Sequence, residues 1–243
     1  MSSGIYTALS GAVAQVTALD VTSNNIANAG TTGYRTVRAK FDEVLTRARS
    51  RDQHLVHTAG TVDDTSAGTV VQTGNALDMA LEGDGYVAVI TPRGERFTRA
   101  GNLRIDGEGR LCAADGNLIS GVDGRPIAVP PGAGELSLRE DGAVLSDSAE
   151  VGSIKLVTFA PGSLVREGST LYAPAMVNNK PAAPTADEPP RVRSGSVERP
   201  SYSIVHGIVD MVKTSRTYET LHRMIESYKQ IDERAARSLG GGG

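Results

Sequence analysis

Residues 1–34 read MSSGIYTALSGAVAQVTALDVTSNNIANAGTTGY. Apolar or small side chains fall at Ile5, Leu9, Ala12, Val16, Leu19, Ser23 and Ile26. Their steps alternate between four and three residues, the spacing of a helix that packs along another helix. Asp20 is the one charged residue in the stretch. A helix with one face in water normally carries charge there, yet the side away from this stripe offers Ala, Ser, Thr, Gln and Asn. Such a helix needs neighbours, either within one fold or in an assembly.

Ser2 or Ser3 can cap the start of this helix. The pattern predicts that it runs to about Asn28, on the order of 40 Å at the usual helical rise. Gly4 and Gly11 each cost about 0.8–1 kcal/mol relative to Ala and suit a place where a second backbone comes close. Asn24, Asn25 and Asn28 crowd its end, and Gly30 or Gly33 can supply a left-handed terminating residue. Arg35 to Ala48 reads as a short extended piece passing into a helical turn. Thr46 to Gly74, with Arg47, Arg49, Arg51, His54 and His57, reads as a solvated linker that closes on a strand at Gly68–Gly74.

From Asn75 to about Tyr172 the pattern changes. Short apolar runs such as Tyr86–Thr91, Leu103–Ile105 and Ile154–Phe159 alternate with Gly83-Asp84-Gly85, Asp106-Gly107-Glu108-Gly109, Asp115-Gly116-Asn117, Asp123-Gly124 and Asp141-Gly142. Asp-Gly pairs favour tight hairpin turns. Turns at this regular spacing predict an antiparallel sandwich or barrel. Pro181 to Pro190 is a stiff polar connection. Val197 to Leu239 turns helical again, with Pro200 in its first turn. Ile204, Ile208, Met211, Ser215, Tyr218, Leu221, Ile225 and Tyr228 trace a second stripe, opposite Lys213, Arg216, Glu219, Arg223 and Glu226. The fold class that follows is α+β. An N-terminal helical segment (1–40) pairs with a C-terminal helix (195–243) in a coiled-coil-like domain, and a linker (41–74) leads to an inserted all-β domain (75–194).

The totals exclude several classes of function. Net charge is −3 over 243 residues, with no basic bias, which argues against a nucleic-acid partner. The sole cysteine, Cys112, excludes an intramolecular disulfide, and its predicted strand makes it a small core residue. No apolar run approaches the roughly 18–20 residues that span a bilayer, so no membrane insertion is expected. The first basic residue is Arg35, so the start does not read as a cleaved secretory signal. His54-x-x-His57 is at most half a metal site on a helix, with no Cys or carboxylate at ligand spacing to complete it. Asp106–Gly109 matches a calcium loop only in composition, and Gly83-Asp84-Gly85 opens no helix that could hold a dinucleotide. No catalytic groups converge, so no cofactor, metal or small-molecule substrate is expected and the chain is expected not to be an enzyme. The rival reading is a secreted β-domain enzyme or sugar-binding protein that its end helices dimerise; it would require that convergence. A membrane-surface binder would require a basic face on the first helix.

Ala8-Leu9-Ser10-Gly11, Leu19-Asp20-Val21-Thr22-Ser23-Asn24-Asn25-Ile26-Ala27-Asn28 and Thr31-Thr32-Gly33-Tyr34 resemble the axial proteins of the bacterial flagellum, the rod, hook and hook-associated family. Asn75 to Tyr86, Phe97 to Asn102 and Arg216-Thr217-Tyr218-Glu219 look like the same pattern. Gly121 to Pro131, followed by Leu138 to Gly142, is similar to the proximal-rod branch, with a distal-rod or hook subunit of the same family as the alternative. There is one departure: where the family commonly has Leu-Glu-x-Ser-Asn-Val, this chain has Val197-Glu198-Arg199-Pro200-Ser201-Tyr202. The resemblance implies a structural subunit of the flagellar basal body. It would pass through the flagellum-specific type III export apparatus without a cleaved signal, then assemble in the periplasmic space with itself and with other proximal and distal rod subunits. Its terminal helices would line a hollow tube that carries torque to the hook. The residues expected to carry packing and assembly are Ile5, Leu9, Ala12, Val16, Leu19, Asn24, Asn25, Ile26, Asn28, Ile204, Ile208, Met211, Arg216, Tyr218, Ile225 and Tyr228.

Overall fold

The computed structural model describes residues 3–48, 51–64, 66, 68–177, 179–185, 189–200 and 202–240. The chain divides into two compact units. Met1–Ala29, Thr36–Thr65 and Tyr202–Gly243 form the first; Gly30–Arg35 and Ser66–Ser201 form the second.

In chain order, the first unit begins with α1 (Ser3–Ala27). The helix ends close to its expected boundary, but not on a left-handed glycine. Asn28 donates its backbone N–H and its Nδ2 to the carbonyl of Asn24, at 3.1 and 2.9 Å, and this occupies one of the carbonyls a helix end leaves open. The predicted linker is instead a long hairpin. Strands β1 (Val37–Ala48) and β2 (Arg51–Asp63) pair antiparallel from Val37↔Asp63 to Ala48↔Arg51, with a register shift between Lys40 and Phe41 opposite Gly60. β1 alternates apolar and polar residues from Val37 to Asp42, the piece read as extended, and then loses the pattern, while β2 does not alternate; α1 packs against both strands. The expected helical turn before Ala48 is therefore strand. The side chains of Arg47, Arg49, Arg51, His54 and His57 lie outside the described residues, but the backbone at His54–His57 is β2, not the helix a metal half-site would need.

The second unit is all β: β3 (Thr69–Gln72), β4 (Met79–Glu82), β5 (Tyr86–Thr91), β6 (Gly94–Thr98), β7 (Leu103–Ile105), β8 (Leu111–Ala113), β9 (Leu118–Ile119), β10 (Leu136–Leu138), β11 (Ala143–Ser146), β12 (Ala149–Ser153), β13 (Leu156–Val157), β14 (Leu164–Glu167), β15 (Leu171–Pro174), β16 (Met176–Val177), β17 (Lys180–Pro181), β18 (Arg191–Ser194) and β19 (Ser196–Arg199). Its largest sheet runs β14-β15-β6-β5-β9-β8-β7 with β13 also on β5, and it does not close into a barrel. Strand β5 is central and covered on both faces. Val87 and Val89 join Leu111, Ile119, Val144 and Ile154 in one core, and Ala88 joins Phe97, Phe159 and Tyr172 in the other. The start of the second predicted helix, at Val197–Arg199, is instead strand β19, paired with β3 from Ser196↔Gln72 to Arg199↔Thr69. Pro200 explains the difference, because the residue before a proline is driven out of the helical region. The second helix, α2 (Ile204–Gly240), returns to the first unit and starts four residues later. Ser203 caps it: its carbonyl accepts from Gly207 N–H at 2.9 Å.

The Asp-Gly turns share one device. Asp106, Asp115, Asp123 and Asp141 each accept, through Oδ1, the backbone N–H two residues on, at 2.9–3.1 Å. Asp141 also takes a two-oxygen grip from Arg139, which holds its carboxyl down at about 2. Asp106 is lowered chiefly by the backbone N–H of Arg110, and Glu167 chiefly by Arg96. A carboxylate whose folded pKa lies below its unfolded value stabilises the fold above the unfolded pKa and loses that contribution as pH falls through the folded one. The melting temperature is thus expected to be flat from pH 7 to about 5 and to drop between about pH 4 and 2. In thermal melts followed by circular dichroism, Asp141→Asn should flatten part of that drop; an unchanged slope would remove the turn from the account.

Candidate functional site

What the first unit presents is helix surface. The two helices run antiparallel. A Cβ added to Gly4 would lie 2.7 Å from Tyr228 Cζ, one on Gly11 3.4 Å from Leu221 Cδ1, and one on Gly207 2.9 Å from Ile26 Cγ1. Seven residues forward on α1 are matched by seven back on α2, so the seam keeps one register over the length of α1. Glycine lets the backbones approach there, and the aromatic ring of Tyr228 and the side chain of Leu221 fill the space.

This seam divides the predicted α1 stripe. Ala8 and Ala12 are buried, and Ile5, Leu19 and Ile26 are half-buried. Leu9 and Val16, expected in the packed stripe, stay 49% and 42% exposed. With Tyr6 and Val13, also exposed, they make a row at three- and four-residue spacing. On α2, Met211, Tyr218, Ile225 and Tyr228 are half-buried on the α1 side, while Ile204 and Ile208 are exposed, as is Arg216. The sequence missed this division because heptad spacing names a face without saying which partner covers it.

The asparagines of the motif act within the chain. Asn25 is buried, and its amide makes a two-way bond to the first residue of β1: Nδ2 donates to Val37 O at 2.8 Å, and Oδ1 accepts from Val37 N–H at 2.9 Å. The side chain thus imitates a neighbouring strand. Asn24 is exposed, and half-buried Asn28 closes the helix end as described. Further along, Ser10 Oγ accepts from Val56 N–H at 3.3 Å, so α1 holds the hairpin at two points. Asn25→Ala leaves both Val37 groups without that partner and is expected to cost about 1–3 kcal/mol. Amide exchange should show Val37 losing protection first; unchanged exchange there would remove Asn25 from this role.

The motif's last residues belong to the second unit. Gly33 takes φ 72° and donates its N–H to Glu198 O at 2.9 Å. Tyr34 is buried, and the Arg166 guanidinium stands 5.0 Å over its ring and 5.3 Å over Tyr172 while donating to Arg35 O at 2.7 Å. Nearby, Arg99 and Glu198 form a buried ion pair at 2.7 Å, with side chains 2% and 6% exposed. Glu198 Oε1 also accepts from Gly68 N–H at 2.8 Å, and Arg99 Nη1 donates to Gly85 O at 2.6 Å and Gly83 O at 3.1 Å. The pairing of Arg99 with Glu198 escaped the sequence reading; the available signals were that Arg99 sits inside the Phe97–Asn102 motif and Glu198 inside the Val197–Tyr202 stretch. Tyr202, the departure from the family pattern, packs with its hydroxyl beside Gly207, and burial pushes its phenol pKa up. Among the described residues no group of three or more His, Cys, Asp and Glu could hold a metal, and no helix is long and apolar enough to cross a membrane.

Comparison with known proteins identifies the family. Residues 5–35 match the family described as flagella basal body rod protein, and residues 80–146 match the flagellar hook protein FlgE/F/G D1 domain. The chain is 33% identical to the flagellar basal-body rod protein FlgF of Escherichia coli, over 98% of this chain and 97% of the relative. It is 30% identical to the flagellar basal-body rod protein FlgG of Bacillus subtilis, over 95% and 97%, and 28% identical to FlgF of Mesorhizobium japonicum, over 99% of each. With its motif residues placed on paired terminal helices and in the β unit they frame in sequence, the chain belongs to the flagellar basal-body rod protein family, as a FlgF-like structural subunit with FlgG as the alternative.

Proposed function

We propose that this chain is a subunit of the proximal rod, exported by the flagellum-specific type III apparatus. It assembles across the periplasm with copies of itself and with other rod subunits into a hollow tube. The terminal helices form the inner wall, the β unit forms the outer layer, and the tube carries torque to the hook. Its work is mechanical, not catalytic. The observation that carries this reading is that uncharged Leu9, Val13 and Val16 are 49%, 55% and 42% exposed on a helix that already packs against a helix and a hairpin. Contiguous exposed apolar surface marks an interaction site. Relatives named FlgF favour the proximal place, and relatives named FlgG keep the distal rod as the second reading.

Deleting Ser3–Ala27 from the gene copy of a flagellated host is expected to abolish swimming while the β unit keeps its own cooperative melt. The deletion stops at Ala27 because Gly33 and Tyr34 pack in the second unit. Normal swimming by that strain would reject the proposal. A density tag on the β unit, located in images of purified basal bodies, separates proximal from distal.

A further inference from the structure

The loop Gly30–Arg35, which leads from α1 to β1, sits in a seat built by the second unit, and loop and seat both belong to that unit. A Cβ on Gly33 would lie 2.2 Å from Ala100 N and 2.4 Å from Arg99 C, so the slot has room for glycine alone, and φ 72° disfavours any other residue a second time. Tyr34 N–H closes a turn on Thr31 O at 3.2 Å. The Tyr34 ring lies 5.0 Å from the Arg166 guanidinium, within reach of a cation–π attraction. Arg35, 7% exposed, donates from Nη1 to Ser66 O at 3.1 Å, while Arg166 Nη2 donates to Arg35 O at 2.7 Å. Three consecutive residues are thus gripped by three different features: a slot without space for a Cβ, a cation over a ring, and a carbonyl that accepts from a guanidinium.

The seat stays satisfied when the loop leaves it. Arg166 keeps Ser169 O at 2.7 Å, the Tyr172 hydroxyl at 3.0 Å and the face of the Tyr172 ring. The Glu198 carboxylate keeps Gly68 N–H and Arg99. No charge of the seat is stranded, and Arg35 goes to water. Tyr34 belongs to neither hydrophobic cluster of the β unit, so neither has to open. We propose that Gly33-Tyr34-Arg35 is a detachable strap, which opens and reseats as a local transition while the β unit stays folded, and that Arg166 is the positioning residue that holds it shut. Ala100, Arg166, Tyr172 and Glu198 all come from Ser66–Ser201, so the seat forms with the β unit and the strap closes on it second. An open strap leaves six residues between Ala29 and Thr36, about 20 Å of extended chain. The strap is therefore a catch between a clamped and a tethered state of the chain that leads from α1 to β1.

Amide exchange on the dilute full chain tests the strap, read as protection factors at Gly33, Gly68 and Ala88. Gly33 N–H is bonded to Glu198 O, Gly68 N–H to Glu198 Oε1, and Ala88 N–H to Lys155 O in the sheet. Gly33 is expected to be protected about tenfold or more below Ala88. Its exchange should hardly respond to urea below the unfolding transition, because a local opening exposes little surface. Arg166→Lys keeps the charge but loses the planar fork. It should lower Gly33 protection by a further factor of about ten relative to both Gly68 and Ala88, and Arg166→Met should lower it at least as far. Exchange of Gly33 at the rate and with the urea dependence of Ala88 would mean that the loop leaves only when the β unit unfolds, and would overturn the proposal. So would a ratio of Gly33 to Ala88 protection that neither variant changes. Each reading is a ratio within one molecule, so a variant that loosens the whole unit leaves the ratio where it was and counts against the strap.

Discussion

Replacing Glu198 with Ala is expected to destabilise the β unit by about 3–5 kcal/mol, enough to leave many domains of this size largely unfolded at 37 °C. The reason is what remains. Arg99 would keep its guanidinium 2% exposed beside Gly83 O and Gly85 O, with no anion to balance it. Gly68 N–H would lose its acceptor as well. The size of the effect comes from stranding a buried charge, not from the net worth of the pair, since two charges taken out of water repay little more than their desolvation. Three variants separate the two accounts in urea titrations. Glu198→Ala should be the least stable. Glu198→Gln should lie between it and the parent. The double replacement Arg99→Met with Glu198→Leu should recover most of the loss. A double variant as unstable as Glu198→Ala would mean that the backbone contacts of both side chains, and not the stranded charge, set the cost.

Gly101→Ala is the second large effect, and here the cause is space. A Cβ at this position would fall 1.7 Å from Met79 O, a backbone atom that cannot rotate away. Met79 N–H donates to Gly101 O at 2.8 Å, so the two segments are already bonded at their closest approach. Relief requires moving β4, and Met79, one of the largest fully buried side chains, moves with it. The expected loss is about 4 kcal/mol or more, at the extreme end of single substitutions. Gly107→Ala is the control. Nothing lies within 4 Å of its Cβ, and its φ is not left-handed, so it should change stability by less than about 1 kcal/mol and can even raise it. Thermal melts of the two variants check both expectations. Equal melting temperatures would show that the strand crossing at Gly101 yields.

Where a residue's local pattern and its tertiary setting agree, the sequence was enough to read it. The uncharged heptad of α1, the matching stripe on α2 and the Asp-Gly turns of the β unit were legible because each depends on spacing along the chain alone. The α+β architecture and the antiparallel pairing follow from these. The motif stretches at Leu19–Asn28 and Phe97–Asn102 carried the family resemblance. The hairpin at Val37–Asp63 was legible only at the start of its first strand, where Val37 to Asp42 alternate. Its strands are held by Asn25 and Ser10 of α1, and a strand stabilised from outside need not announce itself by alternation. The strand at Ser196–Arg199 was not legible: a local rule for proline at a helix start competed with pairing to Thr69–Gln72, and the pairing won.

The sequence by itself determined that two weakly charged or one-sidedly charged helices frame a β-rich middle. Only the tertiary structure decided which residues do the packing inside one chain and which remain for others. A heptad repeat is a statement about angle: it places Ile5, Leu9, Ala12 and Val16 along one stripe. Distance then selects. Gly4 and Gly11 allow the backbones to close on Tyr228 and Leu221, which turns the seam toward the small residues and leaves Leu9 and Val16 facing outward. That rotation depends on atoms more than two hundred residues apart in the chain, where no local pattern reaches.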